Sequence, residues 1–495
     1  MSDWNRQHST AIFISFLNNL KEMLFTVIAV VIFGQSSQAG GIGYYTVFFS
    51  IILILSLASG VIKWLTFKYR LVDNELQIKQ GLIFRKNRYI RKERIQSIDI
   101  NAKVIQRMFQ LVELRIETAG GGLEPEFRIV ALKRSEAEII KEELLLNTKD
   151  IVLQDEAENQ QLVNVDNAEM NKGETENKPD FSWDLSNNRL IIAAITSSGI
   201  GIAVTFVAAI MTQLQQLIPE AIYENVLGWI IHSSILYIFF WILAILLIGW
   251  IITFISTLLK YGKFRIIKEG NDIQISRGIL EQRQLTLSAN KITTVRLVQN
   301  IFRQPFGYVS VYVESAGGGR KEEDLSTILI PICKKDEVNV LLNDLLPQFV
   351  VKRSYESLPK QSIRRYIIKL TFPFIVIAIL SSLFAPFGWI AWIFPVIAAG
   401  FGFWQYVDAG IGKDEHVIMM KTRAISLQEA IVPKYRIQAL NTSQSMLQKM
   451  DDLYTIRVSI ITSVIGKTFM VRHISRLQME EILLWFSYEK DTREK

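Results

Sequence analysis

The chain has 495 residues, of which 49% are hydrophobic, and its 55 Lys and Arg against 48 Asp and Glu give a formal net charge of +7. The charges are segregated, because none lies between Met23 and Val61 and other long uncharged runs occupy about 190–219, 226–259 and 370–407. An apolar run of about 18 residues is long enough to cross the hydrocarbon core of a bilayer as a helix. The composition therefore excludes an ordinary soluble protein and predicts an integral membrane protein.

Six membrane spans are predicted, paired in three hairpins. They cover about 10–34, 44–66, 189–211, 228–259, 366–384 and 387–406. The hairpin connections 34–44, 212–227 and 384–388 contain no Lys or Arg, whereas the segment after each hairpin is rich in both. By the positive-inside rule we expect a multi-pass protein of the cell membrane with both termini and the large polar segments in the cytoplasm. The N-terminus shows no signal peptide, and the single cysteine, Cys333, fits a reducing compartment.

Two nearly identical words, ETAGGG at 117–122 and ESAGGG at 314–319, are 197 residues apart. The same offset aligns further identical residues without a gap, among them Gly81 with Gly278. A third, more divergent copy lies at an offset of 342 from the first and lacks the triple glycine. Similarity that keeps one register over tens of residues predicts an internal repeat, here with three copies.

Each hairpin is followed by a polar segment of about 85 residues, which is enough for one small core. In the first segment, residues 76–100 alternate apolar and polar side chains and predict antiparallel strands, 103–109 predict a short helix, and two further strands flank the triple glycine. Amphipathic helices are predicted to close the repeats at 135–147, 336–347 and 477–488. Their apolar faces would cover an open end of a β-barrel.

The triple glycines are predicted to start the turn of a hairpin, because glycine reaches positive φ without a Cβ clash. These candidate turn residues are Gly120, Gly121, Gly122, Gly317, Gly318 and Gly319. A phosphate-binding loop is the alternative, but no helix with the Lys-Ser/Thr of such a loop follows them. The word Gly466-Lys467-Thr468 copies the end of a phosphate-binding loop without its first glycine, and a hairpin turn is predicted there too.

The stretch YIRKERIQSIDINAKVIQRMFQLVELRIETAGG (89–121), with its counterpart at 286–318, resembles the bacterial pleckstrin-homology-like (PH-like) domain of the YdbS/YdbT family of membrane proteins. The Arg-Ile-Gln and Ala-Gly-Gly words carry the resemblance, and the second copy departs from it at Lys291-Ile292-Thr293. The resemblance implies split β-barrels, each capped by a C-terminal helix, and a smaller single-repeat membrane partner of the YdbS type. It implies no catalytic residues.

The expected fold is an α+β membrane protein in which six transmembrane helices form three hairpins, each followed by a cytoplasmic PH-like split β-barrel with a C-terminal helix. The expected segments are transmembrane hairpins at 1–66, 189–259 and 364–406 and PH-like domains at 67–147, 260–350 and 407–490. Residues 148–181 are acidic and poor in aromatic side chains, so they bury too little apolar surface to offset the entropy of ordering. A disordered linker is predicted there, with a regulatory tail as the alternative.

Motifs for catalysis, metal binding or cofactor binding are absent from the sequence. The four histidines His8, His232, His416 and His473 lie in separate regions without metal-ligand spacing, and neither HExxH nor GxSxG occurs. We therefore expect no enzyme activity, no metal and no cofactor. Nucleic-acid binding is not expected either, because no recognised motif combines basic residues with exposed aromatic side chains.

Two candidate sites carry unusual charge or polarity. Between Lys79 and Arg94 seven basic residues accompany one acid, Glu93, and a basic surface at anionic lipid gains about 1 kcal/mol per Lys or Arg. A partner surface and a solvated strand face are the alternatives. The candidate surface residues are Arg85, Lys86, Arg88, Arg91, Lys92, Arg94, Gln96, Arg436 and Gln438. The first span carries a polar stripe, formed by Ser15, Asn18, Asn19 and Glu22, which indicates either an ion pathway or a seal against a neighbouring helix.

The expected function is a non-enzymatic membrane scaffold that contacts the bilayer, with anionic lipids as candidate ligands, and joins a YdbS-like partner in a hetero-oligomer. The family resemblance implies a role in envelope protection, as resistance to membrane-active antimicrobial peptides such as circular bacteriocins. The alternative is a transporter or exporter component whose PH-like domains couple to it in the cytoplasm. An ion-coupled device would need Glu22, whereas a scaffold would tolerate its replacement by Gln.

Overall fold

The structure is a computed structural model of the chain. It describes residues 4–20, 42–72, 75–82, 84–118, 127–144, 179–197, 235–315, 326–384, 388–461 and 466–487. The chain divides into two compact units. Unit 1 comprises Met1–Ala119, Glu124–Leu185 and Ser198–Leu287, and unit 2 comprises Gly120–Leu123, Ser186–Ser197 and Ser288–Lys495. Each unit is described by itself below.

The first repeat begins with two helices and continues as strands interrupted by a short helix. Its elements are α1 (Ala11–Leu20), α2 (Ile42–Thr66), β1 (Lys68–Val72), β2 (Glu75–Gln80), β3 (Lys86–Arg91), β4 (Ile95–Ala102), α3 (Val104–Met108), β5 (Leu111–Thr118), β6 (Phe127–Lys133) and α4 (134–144). The predicted strands and short helix of this repeat are confirmed. Their alternating burial explains why these residues form strands, since every second side chain of β1 and the start of β2 enters the core.

The second and third repeats follow the same order. The second contains β7 (Phe181–Asp184), α5 (Asn187–Ile195), α6 (Ile235–Tyr261), β8 (Arg265–Glu269), β9 (Asp272–Arg277), β10 (Gln282–Ser288), β11 (Ile292–Gln299), β12 (Tyr308–Ser315), β13 (Thr327–Lys334) and α7 (Val338–Leu345). The third contains β14 (Glu356–Ser357), α8 (Ser362–Phe384), α9 (Ile393–Asp408), β15 (Gly410–Lys413), β16 (Val417–Arg423), β17 (Leu427–Pro433), β18 (Ile437–Ser443), α10 (Met446–Lys449), β19 (Leu453–Ile460), β20 (Lys467–Ser475) and α11 (Arg476–Phe486).

Unit 1 contains a three-stranded sheet, in the order β1-β2-β3, and a seven-stranded sheet, in the order β6-β5-β4-β10-β9-β8-β7. In the larger sheet β4 of the first repeat pairs antiparallel with β10 of the second, from Gln282↔Ala102 to Leu287↔Ser97. The core of the first repeat lies between its strands and α4, which contributes Ala137, Ile140 and Leu144. The spacing of these three residues is that of one helix face, as the amphipathic pattern predicts.

Unit 2 has the same organisation. A seven-stranded sheet has the order β13-β12-β11-β17-β16-β15-β14, and a three-stranded sheet has the order β18-β19-β20. Here β11 of the second repeat pairs antiparallel with β17 of the third, from Val295↔Ile431 to Gln299↔Leu427. Met479 and Ile482 of α11 join the core of the third repeat. The N-terminus of α11 is fixed by a capping box between Ser475 and Gln478.

The sheets are open, so the closed split barrel expected for each domain is not confirmed. In each repeat the strands fall into an early group (β1–β3, β8–β10 and β15–β17) and a late group (β4–β6, β11–β13 and β18–β20). The late strands of one repeat continue into the early strands of the next, in unit 1 for the first two repeats and in unit 2 for the last two. The repeats are therefore joined by backbone hydrogen bonds as well as by the chain.

The turn before β3 and the equivalent turn before β10 explain one identity that defines the repeat. Gly81 and Gly278 have φ values of +98° and +102°. A Cβ at either position would collide with a backbone carbonyl, that of Phe84 or that of Glu281. Glycine is the residue that reaches this conformation without strain, so both turns depend on it.

Three helices of the described residues are long and apolar enough to cross a membrane, at Leu243–Tyr261, Ser362–Phe384 and Gly388–Asp408. The shorter apolar helices Ala11–Leu20 and Ser50–Thr66 cover parts of the first two predicted spans. The α8 and α9 helices pack closely, because a Cβ at Gly402 would lie 3.0 Å from the backbone of α8. Six spans in three hairpins are not confirmed as a set, since large parts of the predicted spans lie outside the described residues.

The predicted linker 148–181 also lies outside the described residues, except for its last three positions. There, the Asp180 carboxylate accepts a hydrogen bond of 2.6 Å from the backbone N–H of Gly270, and Phe181 begins β7. The ordered second repeat therefore starts slightly before the predicted end of the linker.

Candidate docking surfaces

The basic segment between Lys79 and Arg94 forms β3 and the residues on either side of it. Its exposed predicted residues are Arg85, Lys86, Arg88, Arg91 and Arg94, and its half-buried ones are Lys92 and Gln96. Ile90 is the buried residue of β3, and the other five residues of the strand are exposed. The structure thus places three of the nine predicted residues, Lys86, Arg88 and Arg91, on one strand at the edge of a three-stranded sheet.

The side chains at this sheet edge keep a net positive charge. Arg91 Nε lies 3.4 Å from a Glu75 oxygen in an exposed pair, and exposed pairs contribute little. On the neighbouring strands, the Arg70 guanidinium and the Lys79 ammonium lie 4.6 and 4.3 Å from the centroid of the Trp4 ring. Cation–π contacts of this kind leave the charge in place. The surface can therefore attract an anionic group.

Arg436 and Gln438 belong to unit 2, whereas the rest of the predicted surface belongs to unit 1. The Arg436 guanidinium donates to the backbone carbonyl of Asn290, so this side chain ties the third repeat to the second. Gln438 is exposed on β18, an edge strand of the sheet β18-β19-β20. The two occurrences of the Arg-Ile-Gln word therefore belong to different units.

The described part of the polar stripe lies on α1. Asn19 Nδ2 donates to Ser59 Oγ of α2 at 3.2 Å, and a Cβ at Gly60 of α2 would lie 3.1 Å from the carbonyl oxygen of Ile12. Ser15 is half-buried and Asn18 is exposed. These contacts favour a seal between α1 and α2. Glu22 lies outside the described residues, as do the six candidate turn glycines, so these predictions stay predictions.

Buried polar residues mark both junctions between repeats, and sequence reasoning missed them. In the first junction Arg283 Nε of β10 lies 3.0 and 3.1 Å from the two carboxylate oxygens of Asp99 on β4, with side chains 7% and 4% exposed. In the second junction Arg296 Nη1 of β11 donates to Gln428 Oε1 of β17 at 3.3 Å. Asp99 belongs to the alternating polar residues Ser97, Asp99 and Asn101 of β4, a pattern that predicts a solvated strand face, so no local signal indicated the buried pair.

A second polar cluster in unit 2 surrounds Glu314, the first residue of the repeated word ESAGGG. Glu314 is fully buried, and its Oε1 accepts hydrogen bonds from Lys467 Nζ at 2.8 Å and from Ser326 Oγ at 2.8 Å. Arg296 Nε lies 3.1 Å from the same oxygen. Lys467 begins β20, where the phosphate-loop-like word was predicted as a turn, and its ammonium neutralises a carboxylate of the preceding repeat.

The chain is similar to known proteins. The family profile described as "Bacterial PH domain" matches this chain three times, at 23–148, 204–348 and 366–490. The UPF0699 transmembrane protein YdbT of Bacillus subtilis (strain 168) is 32% identical over 499 residues, which covers 99% of each chain. The chain belongs to the YdbS/YdbT family of bacterial PH domain membrane proteins. The resemblance carried by the Arg-Ile-Gln and Ala-Gly-Gly words is therefore confirmed.

Burial and ion pairs shift the pKa of titratable groups of this bacterial PH domain protein. Burial raises the pKa of the Cys333 thiol to about 12, which leaves it protonated and unreactive. Burial would also raise the pKa of Glu113, but the adjacent guanidinium groups of Arg115 and Arg128 outweigh burial and hold it below its usual value. Their Nε atoms lie 2.6 and 2.5 Å from Glu113 Oε1. Glu113 thus links β5 to β6 through its ion pair with Arg128.

The described part of this bacterial PH domain protein presents features that suit docking. Within the described ranges no group of three or more His, Cys, Asp or Glu side chains is placed to hold a metal ion. The exposed features are open strand edges and basic side chains, and the buried ones are ion pairs that join strands. Such features bind strands, lipid head groups or partner chains.

Proposed function

We propose that this protein is a non-enzymatic membrane scaffold, with its termini and PH-like domains in the cytoplasm. It acts with a smaller single-repeat partner of the YdbS type and protects the cell envelope against membrane-active antimicrobial peptides such as circular bacteriocins. The hairpins sequester the peptide or seal the lesion in the bilayer without a chemical step.

The observation that carries the scaffold proposal is the continuity of the sheets across repeats. β4 pairs with β10 over six residues, and the buried Arg283–Asp99 pair fixes that junction. A junction of this kind holds the late strands of one repeat and the early strands of the next in one sheet, whereas domains joined by a linker alone would move independently. Strands of two repeats held in one sheet present their surfaces together, and multivalent contact raises effective concentration at a membrane face.

The junction also lies close to a membrane helix. The backbone N–H groups of Gly278 and Ile279, at the turn before β10, donate to the carbonyls of Gly262 and Leu259 at the end of α6, at 2.8 and 2.9 Å. The repeat places Arg85 after the equivalent turn of the first PH-like domain. This position supports contact between the basic segment and anionic head groups, each charge contributing about 1 kcal/mol.

A transport role receives less support. An ion pathway needs polar groups that remain available within the membrane, whereas Asn19 donates its amide to Ser59 of the neighbouring helix. We therefore assign the described part of the polar stripe, on α1, to packing between α1 and α2.

The proposal is tested by deleting the gene and challenging the cells with a circular bacteriocin. We expect greater sensitivity, while the peptide recovered from the medium keeps its covalent structure. Unchanged sensitivity after deletion of both the protein and its single-repeat partner would contradict the proposal, as would degradation of the peptide by the purified protein.

A complementation experiment tests the scaffold itself. Asp99→Ala breaks the buried junction pair, and Glu138→Ala is the matched control, because Glu138 forms an exposed pair with Arg134 at 3.0 Å on α4. At equal abundance in the membrane, the control should restore resistance and Asp99→Ala should not. Full resistance with Asp99→Ala would show that the junction is not needed.

A further inference from the structure

Among the residues that the structure describes, two strands have no partner on one edge, although their counterparts in the other repeats are paired there. β10 and β17 hold, in the second and third repeats, the position that β3 holds in the first. β4 and β11 hold, in the first and second repeats, the position that β18 holds in the third. β10 pairs with β4 and β17 pairs with β11, whereas the described sheet orders end at β3 and at β18.

The two observed junctions have one register. In the first, Leu285 faces Asp99. The second repeat follows the first at an offset of 197 residues, and the third follows the first at 342. The third repeat therefore follows the second at the difference between these offsets, 145. These offsets carry Leu285 to Ala430 and Asp99 to Arg296, and Arg296↔Ala430 is the pair observed in the second junction. The junction is therefore a repeated interface with fixed pairing.

The side chains of β3 and β18 are more exposed than those of their paired counterparts. In β10 the residues Arg283 and Leu285 are buried, whereas their counterparts in β3, Lys86 and Arg88, are exposed. In β4 every residue except Gln96 is buried, whereas β18 contains no buried residue. The same positions are covered wherever a neighbouring repeat supplies a strand.

We propose that β18 of one copy pairs antiparallel with β3 of a second copy, in the register of the two internal junctions. The offsets then place Arg88 opposite Asn441 and Tyr89 opposite Leu440. Lys86 lies diagonal to Asn441, as Arg283 lies diagonal to Asp99 in the first junction. Each chain offers one β3 and one β18, so the contact is head-to-tail and builds a ring or an open row of copies in the membrane.

The chemistry of the two edges agrees with this pairing. β3 is basic, and β18 offers the neutral hydrogen-bonding side chains of Asn441 and Thr442, both exposed. The second internal junction already uses a guanidinium with an amide, Arg296 with Gln428. Exposed Lys and Arg on an edge strand are also the means by which proteins keep sheet edges unpaired. A chain that stays monomeric in the membrane is therefore the result that overturns the proposal.

Disulfide trapping between differently tagged full-length copies tests the contact in native membranes. One copy carries Arg88→Cys and the other Asn441→Cys, so a mixed-tag disulfide forms only between copies. A second experiment uses Tyr89→Cys with Leu440→Cys, because directly opposed residues of antiparallel strands alternate between Cα separations of about 5.5 and 4.5 Å. Both separations permit a disulfide. The native thiol of Cys333 is buried and its pKa is raised to about 12, so it does not interfere.

Two controls accompany these pairs. Arg88→Cys with Leu440→Cys is offset by one residue, which places the two sulfurs on opposite faces of the strands. Ser97→Cys with Leu287→Cys, within one chain, reproduces a pair observed in the first junction and shows that the oxidation works.

We expect mixed-tag dimers from at least one in-register pair and a yield at least about tenfold lower from the offset pair, because the offset removes the facing geometry. The proposal is overturned if the internal control forms and no mixed-tag dimer does, or if the offset pair matches the in-register yield. It is also overturned if Asn441→Cys is trapped by a different membrane protein and not by a second copy, since the edge then belongs to that partner.

Discussion

Replacing Glu314 with Gln should destabilise unit 2 far more than breaking an exposed ion pair of the same unit. The buried Oε1 of Glu314 accepts from Lys467 and Ser326, each at 2.8 Å, and Arg296 Nε lies 3.1 Å from it. Gln keeps an oxygen of the same shape and removes only the negative charge. Two cations then lose their counter-ion in an interior that hydrates them poorly.

The expected loss is about 3–5 kcal/mol in the free energy of unfolding, the range for removing one partner of a buried pair. Lys467→Met should cost less, about 1–3 kcal/mol, because this side chain is 24% exposed and Glu314 keeps Arg296. Lys413→Met is the matched control. Lys413 lies 2.9 Å from Glu481 with side chains 29% and 51% exposed, and such a pair contributes about 0–1 kcal/mol.

Cys333 provides the assay, because it is the one cysteine of the chain and lies on β13, next to the strand that carries Glu314. Its raised pKa and burial keep the thiol unreactive until unit 2 unfolds. Maleimide labelling across a urea series in detergent gives the free energy of unfolding of each variant. The reasoning is refuted if Glu314→Gln lowers this free energy by no more than Lys413→Met does.

Three further predictions test other groups. Burial and then the charge of Arg472 lower the pKa of His473 from 6.5 to about 4, so as the pH falls the unfolded chain takes up the proton before the folded chain does. The free energy of unfolding should therefore be constant above about pH 6.5 and fall as the pH drops toward 4. The Cys333 assay should show that His473→Gln loses this slope. Single cysteines at Gln38 or Glu220 should react with an impermeant maleimide outside intact cells and one at Asn167 should not, and the reverse pattern would overturn the orientation. Amide exchange of residues 85–94 should be slower in phosphatidylglycerol nanodiscs than in phosphatidylcholine nanodiscs, and changing Arg85, Arg91 and Arg94 together to Gln should abolish this difference. A difference that persists in the variant would exclude these side chains as the lipid surface.

The secondary structure of the repeats was predictable because it depends on the pattern of residues within each short segment. Alternating apolar residues give the strands, and apolar spacing of three and four residues gives α4, α7 and α11. The pairing of β4 with β10 is different, since it joins residues about 185 positions apart and depends on which sheet edges meet. Apolar and polar residues alternate in the same way in a strand of a closed barrel and in a strand that pairs with another repeat, so the alternation does not distinguish the two.

The candidate site was predictable as a list of basic residues but not as an edge. The charge run predicts a surface for anionic lipid, with a partner surface or a solvated strand face as the alternatives. The structure adds that Lys86 and Arg88 occupy positions that are buried in β10. That comparison requires the pairing pattern of all three repeats. Asp99 held no local signal, because it alternates with Ile98 and Ile100 as a solvent-facing residue of a strand would.

The polar pairs at the junctions also determine which strands can join. A mistaken pairing of β10 with β11 of another copy, in the shared register, would set Arg283 against Arg296, and two guanidinium groups in a buried junction repel each other by several kcal/mol. The observed neighbours avoid this, since Arg283 meets Asp99 and Arg296 meets Gln428. A basic β3 would be rejected by β11 for the same reason, because Lys86 would approach Arg296. Asn441 gives β18 a neutral acceptor at that position, so β18 accepts the basic strand that β11 excludes.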